Sequence, residues 1–88
     1  MPAANQLQGI FEYIAANNRM AAYRTVRRIR EAILLTAQMP YSGRIGRVEG
    51  TREITIYGTS YLVAYRIVEN MILVLAILRG AHEWPDSF

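Results

Sequence analysis

Eighty-eight residues make one domain, and 52% apolar against 19% charged residues place the chain among folded globular proteins. With no cysteine there is no disulfide framework, thiolate zinc site or cysteine nucleophile, and the lone histidine, His82, builds no metal cage. All ten basic residues are arginine, which excludes a lysine general base or Schiff base; a net charge of +3 and a pI near 9.7 suit an acidic partner, nucleic acid or protein.

The first half reads as two helices. From Ala4 to Ala16, Leu7, Ile10, Phe11 and Ile14 recur at the spacing of one helical stripe, and Pro2 suits the first turn. Asn17-Asn18 reads as the stop, because asparagine tolerates the left-handed conformation at a helix C-terminus. A second periodic segment runs from Met20 to Gln38, with Ala22, Val26, Ile29, Ile33 and Leu34 facing inward. Arg24, Arg27, Arg28 and Glu31 lie on its other face, and Pro40 ends it. So short a connection predicts an antiparallel helical hairpin.

The period then changes. Residues 41–50 carry three glycines and read as a loop. Arg52 to Tyr57 alternates, with Ile54 and Ile56 inward, as a strand with one wet face. Gly58-Thr59-Ser60 turns into a second strand, Tyr61 to Val68, and Glu69-Asn70 turns again into Met71 to Leu78. That last run has no alternation and is expected to be a central strand buried on both faces. The order ααβββ predicts an α+β domain over residues 1–88: an N-terminal antiparallel helical hairpin packed on a three-stranded antiparallel meander. Eight apolar residues are the longest such run, short of the roughly 20 that cross a bilayer. No secretory signal pattern opens the chain, so no membrane contact and a cytoplasmic location are expected.

Chemistry-bearing residues are few. Ser42-Gly43-Arg44-Ile45-Gly46-Arg47 lacks the strand-before, helix-after setting and the lysine of a phosphate-binding loop, and reads as a helix-to-strand turn. The tyrosines read as core or rim packing, and the second-helix arginines as a solvated face. His82 is the one side chain whose ordinary pKa lies near neutrality. With Arg66 and Arg79 it would supply proton exchange and phosphate neutralisation; otherwise it is plain tail surface. Trp84-Pro85 reads as a pin holding the tail to the sheet. The carboxylates form no pair at a spacing that suggests a glycosidase or a dyad, and no cofactor is expected.

Several segments, in order, resemble the ParE/RelE superfamily, the toxins of bacterial type II toxin–antitoxin modules. They are Leu7-x-x-Ile-Phe-x-Tyr-Ile14, the helix from Ala22 to Leu35, Met39-Pro40-x-x-Gly43-Arg44 and Gly50-Thr51-Arg52-Glu53. The most telling are Tyr61-Leu-Val-Ala-Tyr-Arg66, Ile77-Leu-Arg79-Gly80-Ala81 and Trp84-Pro85. Members of that superfamily usually begin with a short strand and a Pro-Ala-like step into the first helix. Here Met1-Pro2-Ala3-Ala4 stands at that step, so the resemblance implies a sheet without its usual first strand and an exposed edge inviting another chain or homodimerisation.

The resemblance carries two functional expectations. The Tyr61 to Arg66 pattern is similar to ParE-like members, which inhibit DNA gyrase by binding and hydrolyse nothing. Arg47, Arg52, Tyr61, Arg66, Arg79 and Trp84 would then be contact residues for the target or for the cognate antitoxin, and none would be catalytic. That antitoxin is expected to wrap the chain with an acidic, partly disordered segment that folds on binding. The alternative is a RelE-like endonuclease that cuts messenger RNA on the ribosome, with Arg66 and Arg79 on the phosphate and His82 as acid or base.

Overall fold

The computed structural model describes residues 3–88. Readings placed on Met1 and Pro2, including the step into the first helix, lie outside the described residues. Helix α1 spans Ala3–Ala15 and α2 spans Arg19–Gln38. Leu7, Ile10 and Ile14 lay one stripe of α1 on the core, and Phe11 meets Tyr23 of α2 edge-on at 4.9 Å between ring centroids. Helix α1 stops ahead of the two asparagines, as expected, but neither adopts the left-handed backbone, and Asn18 also opens the next helix. Asn18 is extended (φ −156°) and is the N-cap of α2, its Oδ1 accepting from the Ala21 N–H at 3.0 Å. A side-chain acceptor there satisfies one of the free N–H groups of the first turn.

On α2, Ala22, Ile29 and Thr36 are buried, with Ala32 and Ile33 packed at the margin of the core. Leu34 departs from the expected inward face and is 67% exposed. One residue past Ile33 rotates about 100° around the helix, which carries Leu34 off the stripe and into solvent. The helix stops at Met39 (φ −137°) because Pro40 disfavours a helical residue before it.

The sheet has four strands where three were expected: β1 (Arg44–Ile45), β2 (Arg52–Thr55), β3 (Leu62–Val68) and β4 (Met71–Leu78), antiparallel in the order β1-β2-β3-β4. The additional strand, β1, is two residues long and pairs Arg44 with Glu53 and Ile45 with Arg52. Its anchor is the buried Tyr65 hydroxyl, which donates to the Pro40 carbonyl at 2.7 Å and accepts from the Gly43 N–H at 3.1 Å. A Cβ at Gly43 would collide with that hydroxyl and with the Glu53 carbonyl, so only glycine lets the loop lie this close.

The central strand is β3, not the unbroken apolar run. Tyr61 and Val63 point into the core under the helices, while Leu62 and Ala64 face the other side and pack with Ala76, Leu78, Trp84 and Val48. β4 is an edge strand. Its last three residues are buried, Ile77 under the helices and Ala76 and Leu78 in the cluster closed by Trp84, but Met71 and Leu73 are 65% and 52% exposed. The register slips beside Ala64/Tyr65, where Leu75 is the extra residue of a bulge. Glu69 and Asn70, at φ 53° and 64°, form the two-residue turn between β3 and β4, the geometry that suits a twisted hairpin.

Candidate functional site

The residues singled out from the sequence fall into three places. At the β1–β2 end, Arg52 donates to the carbonyls of Gly43 (2.7 Å) and Tyr41 (3.3 Å) and lies over the Tyr41 ring at 5.1 Å. Arg44 pairs with the nearly buried Glu53 at 3.0 Å and donates to Thr55 Oγ1. Arg47 stands exposed on the intervening loop, with no hydrogen-bond or ion-pair partner among the described residues.

Arg66 occupies the sheet face away from the helices, because β3 alternates and Leu62 and Ala64 mark that face. Its Nη1 donates to the Glu49 carbonyl at 3.2 Å. Arg79 lies on the opposite side: its guanidinium sits over the Tyr13 ring of α1 at 5.3 Å. Leu62 pairs with Leu78, so Arg79 falls beside Tyr61, five residues up β3 from Arg66. At a strand's rise those five residues separate the two arginines by about 17 Å of backbone.

Tyr13, Tyr61 and Arg79 are shared by two shallow clefts. One, of about 330 Å³, also has Thr25, Thr59 and Ser60 in its wall; the other, of about 280 Å³, has Gln6, Ile77 and Glu83. Burial pushes the Tyr61 phenol above its ordinary pKa, opposed in part by the neighbouring Arg79. His82 lies on the short 3₁₀ turn Ala81–Glu83, exposed, with its ring folded back over Gly80. Trp84 is 8% exposed and closes the apolar cluster on the outer sheet face, where Phe88 meets it edge-on at 5.8 Å. The structure therefore brings Arg79 together with Tyr61 and Tyr13, and puts Arg66 on the other face of the sheet from Arg79. Among the described residues no group of three or more His, Asp or Glu side chains is placed to hold a metal.

The outward side of α2 reads from the sequence as a solvated arginine face, but its apolar end was missed, because Leu34 was assigned to the inward stripe. Its C-terminal half exposes Leu34, Leu35 and Met39, followed by Tyr41, and its N-terminal half exposes a broad field of arginines. The signal was present: Ile33, Leu34 and Leu35 are three apolar residues in a row, which together turn through about 200° of the helix, wider than a stripe facing one core. Beside this surface, Leu7, Phe11, Tyr23, Val26 and Arg30 line a cleft of about 450 Å³ between the helices.

A helical hairpin over a four-stranded antiparallel sheet, with a net charge of +3, makes this a small basic α+β domain. The family model described as "ParE toxin of type II toxin-antitoxin system, parDE" matches residues 1–84, and the chain belongs to that family. It is 35% identical over 84 residues to the protein named "Putative toxin Y4kP" of Sinorhizobium fredii (strain NBRC 101917 / NGR234), covering 96% of this chain and 86% of that one. Among solved structures it is similar to "Chromosomal ParDE TA system from P. aeruginosa", with a TM-score of 0.77 and 25% identity over 89% of this chain and 87% of that one. No described helix is long and apolar enough to cross a membrane.

Proposed function

We propose that this ParE-family toxin arrests bacterial growth by binding DNA gyrase, and that a cognate antitoxin neutralises it through an acidic, partly disordered segment. The observation that carries a binding role is the separation of Arg66 from Arg79. They project from opposite sheet faces about 17 Å apart, whereas joint neutralisation of one phosphate needs donors within hydrogen-bond reach of the same oxygens. Of the expected contact residues, Arg47 and Arg79 present guanidinium groups to a partner; Arg52 and Arg66 are engaged on loop carbonyls, and Tyr61 and Trp84 are packed.

An acidic segment that folds on binding would find cations at Arg47 and an apolar strip at Leu34, Leu35 and Met39. Self-association, if it occurs without antitoxin, belongs to the bare half of β4, Met71 to Leu73. The purified chain added to gyrase and relaxed plasmid should block supercoiling, and equimolar antitoxin should restore it. Unimpaired supercoiling, together with cleaved messenger RNA on programmed ribosomes, would replace this reading with the ribosomal one.

A further inference from the structure

Five of the ten arginines, Arg19, Arg24, Arg27, Arg28 and Arg30, lie within twelve consecutive residues of α2, and all five are exposed. Turning about 100° per residue, they cover roughly half of the helix circumference, opposite the stripe of Ala22 and Ile29. The helix does little to offset them. Glu31 is its only carboxylate, and its contact with Arg27 is a 3.9 Å pair between two largely exposed side chains, which screening leaves weak. Arg28 donates to the Tyr57 carbonyl, an acceptor without net charge.

The placement is also the reverse of what the backbone favours. The macrodipole is positive at a helix N-terminus, yet α2 has no acid in its first turn, its cations begin at its first residue, and its last turn has no base. Arg24 faces Arg28 at i,i+4 and Arg27 at i,i+3, and Arg27 faces Arg30 at i,i+3, all like-charge neighbours. The field therefore opposes the helix that carries it, and a polyanion on this face would relieve it.

We infer that the arginine face of α2 binds the phosphate backbone of duplex nucleic acid without regard to sequence. Two features favour a duplex over an acidic polypeptide. The cations span half a cylinder, which meets the two phosphate walls of a groove wide enough for a helix, whereas a single peptide strand or helix covers a narrower strip. Arg19 to Arg30 also extends about 17 Å along the axis, roughly five phosphate steps of one strand, and every cation is a planar fork suited to phosphate oxygens. The apolar Leu34 and Leu35 lie beyond this field, toward the C-terminal end of the helix.

The test is fluorescence anisotropy of the full chain with a labelled 20-base-pair DNA of arbitrary sequence, at 50 to 200 mM salt. About four phosphates neutralised predicts a slope of log K against log salt near −3.6. The double variant Arg24→Gln/Arg27→Gln, with its helix content checked by circular dichroism, should flatten that slope by about 1.8 and weaken binding at least tenfold at 50 mM. Arg47→Gln, on the β1–β2 loop, should leave both nearly unchanged. No binding at 50 mM, or a slope indifferent to the double variant, would overturn the inference. So would displacement of the duplex by poly-glutamate at equal charge concentration, which would make this face a surface for acidic polypeptide.

Discussion

The two halves of β4 are built from the same residue types and end in opposite environments. Ala76, Ile77 and Leu78 are buried, with α1 over one face and Trp84 over the other; Met71 and Leu73 have neither cover. The difference extends to the backbone at the sheet edge. The Ile77 N–H donates to Gln6 Oε1 at 3.0 Å and the Arg79 N–H to Glu83 Oε1 at 2.6 Å, so side chains occupy two edge donors near the C-terminal end of the strand. Toward Met71 no side chain among the described residues does the same. Apolar sequence alone does not say which residues form a core; cover does, and where cover stops an apolar edge strand becomes a place for another chain.

The largest test of that contrast removes the cover. Trp84→Ala should cost about 3–5 kcal/mol in urea unfolding, since it empties the outer cluster, whereas Leu73→Ala on the bare half should stay within about 0.5 kcal/mol. Equal losses would mean that the two halves are covered alike. Next in size is the tie between loop and sheet. Tyr65→Phe leaves the Gly43 N–H and Pro40 carbonyl without their shared hydroxyl and should cost about 1–3 kcal/mol, with faster hydrogen exchange confined to residues 40–46.

The smallest effect on stability is the most informative about partners. Gln6→Ala frees the Ile77 N–H and should cost about 1 kcal/mol while raising self-association in sedimentation. Leu73→Lys should lower self-association with stability unchanged to within about 0.5 kcal/mol. Self-association insensitive to both would place it elsewhere than β4.

Most of the architecture was legible because its determinants are local. The 3.6-residue recurrence of Leu7, Ile10 and Ile14 announces α1, and the Glu69-Asn70 break between two apolar runs announces the hairpin. What was not legible depends on distant residues. β1 is too short to show a period, and it exists because a tyrosine more than twenty residues away anchors the loop. The apolar run of β4 was consistent with a central strand, and only the sheet order makes it an edge. Asn18 lies where a helix stop and a helix start look alike. The candidate surface was half visible: the arginines of α2 and their like-charge spacings can be read from the sequence, but their shared exposure and the tie of Arg28 to an uncharged carbonyl emerge only once the helix is placed. The separation of Arg66 from Arg79 needed strand register, which residue types do not encode.

Pulse-labelling of cells after inducing this chain alone decides whether the toxin acts by binding at the replication machinery. DNA synthesis should fall first, with filamentation, while protein synthesis persists, and His82→Ala should arrest growth as fully as the natural chain. Protein synthesis stopping within minutes while DNA synthesis continues, with arrest lost in a folded His82→Ala variant, would rule out gyrase as the target and make the chain a ribosome-dependent nuclease.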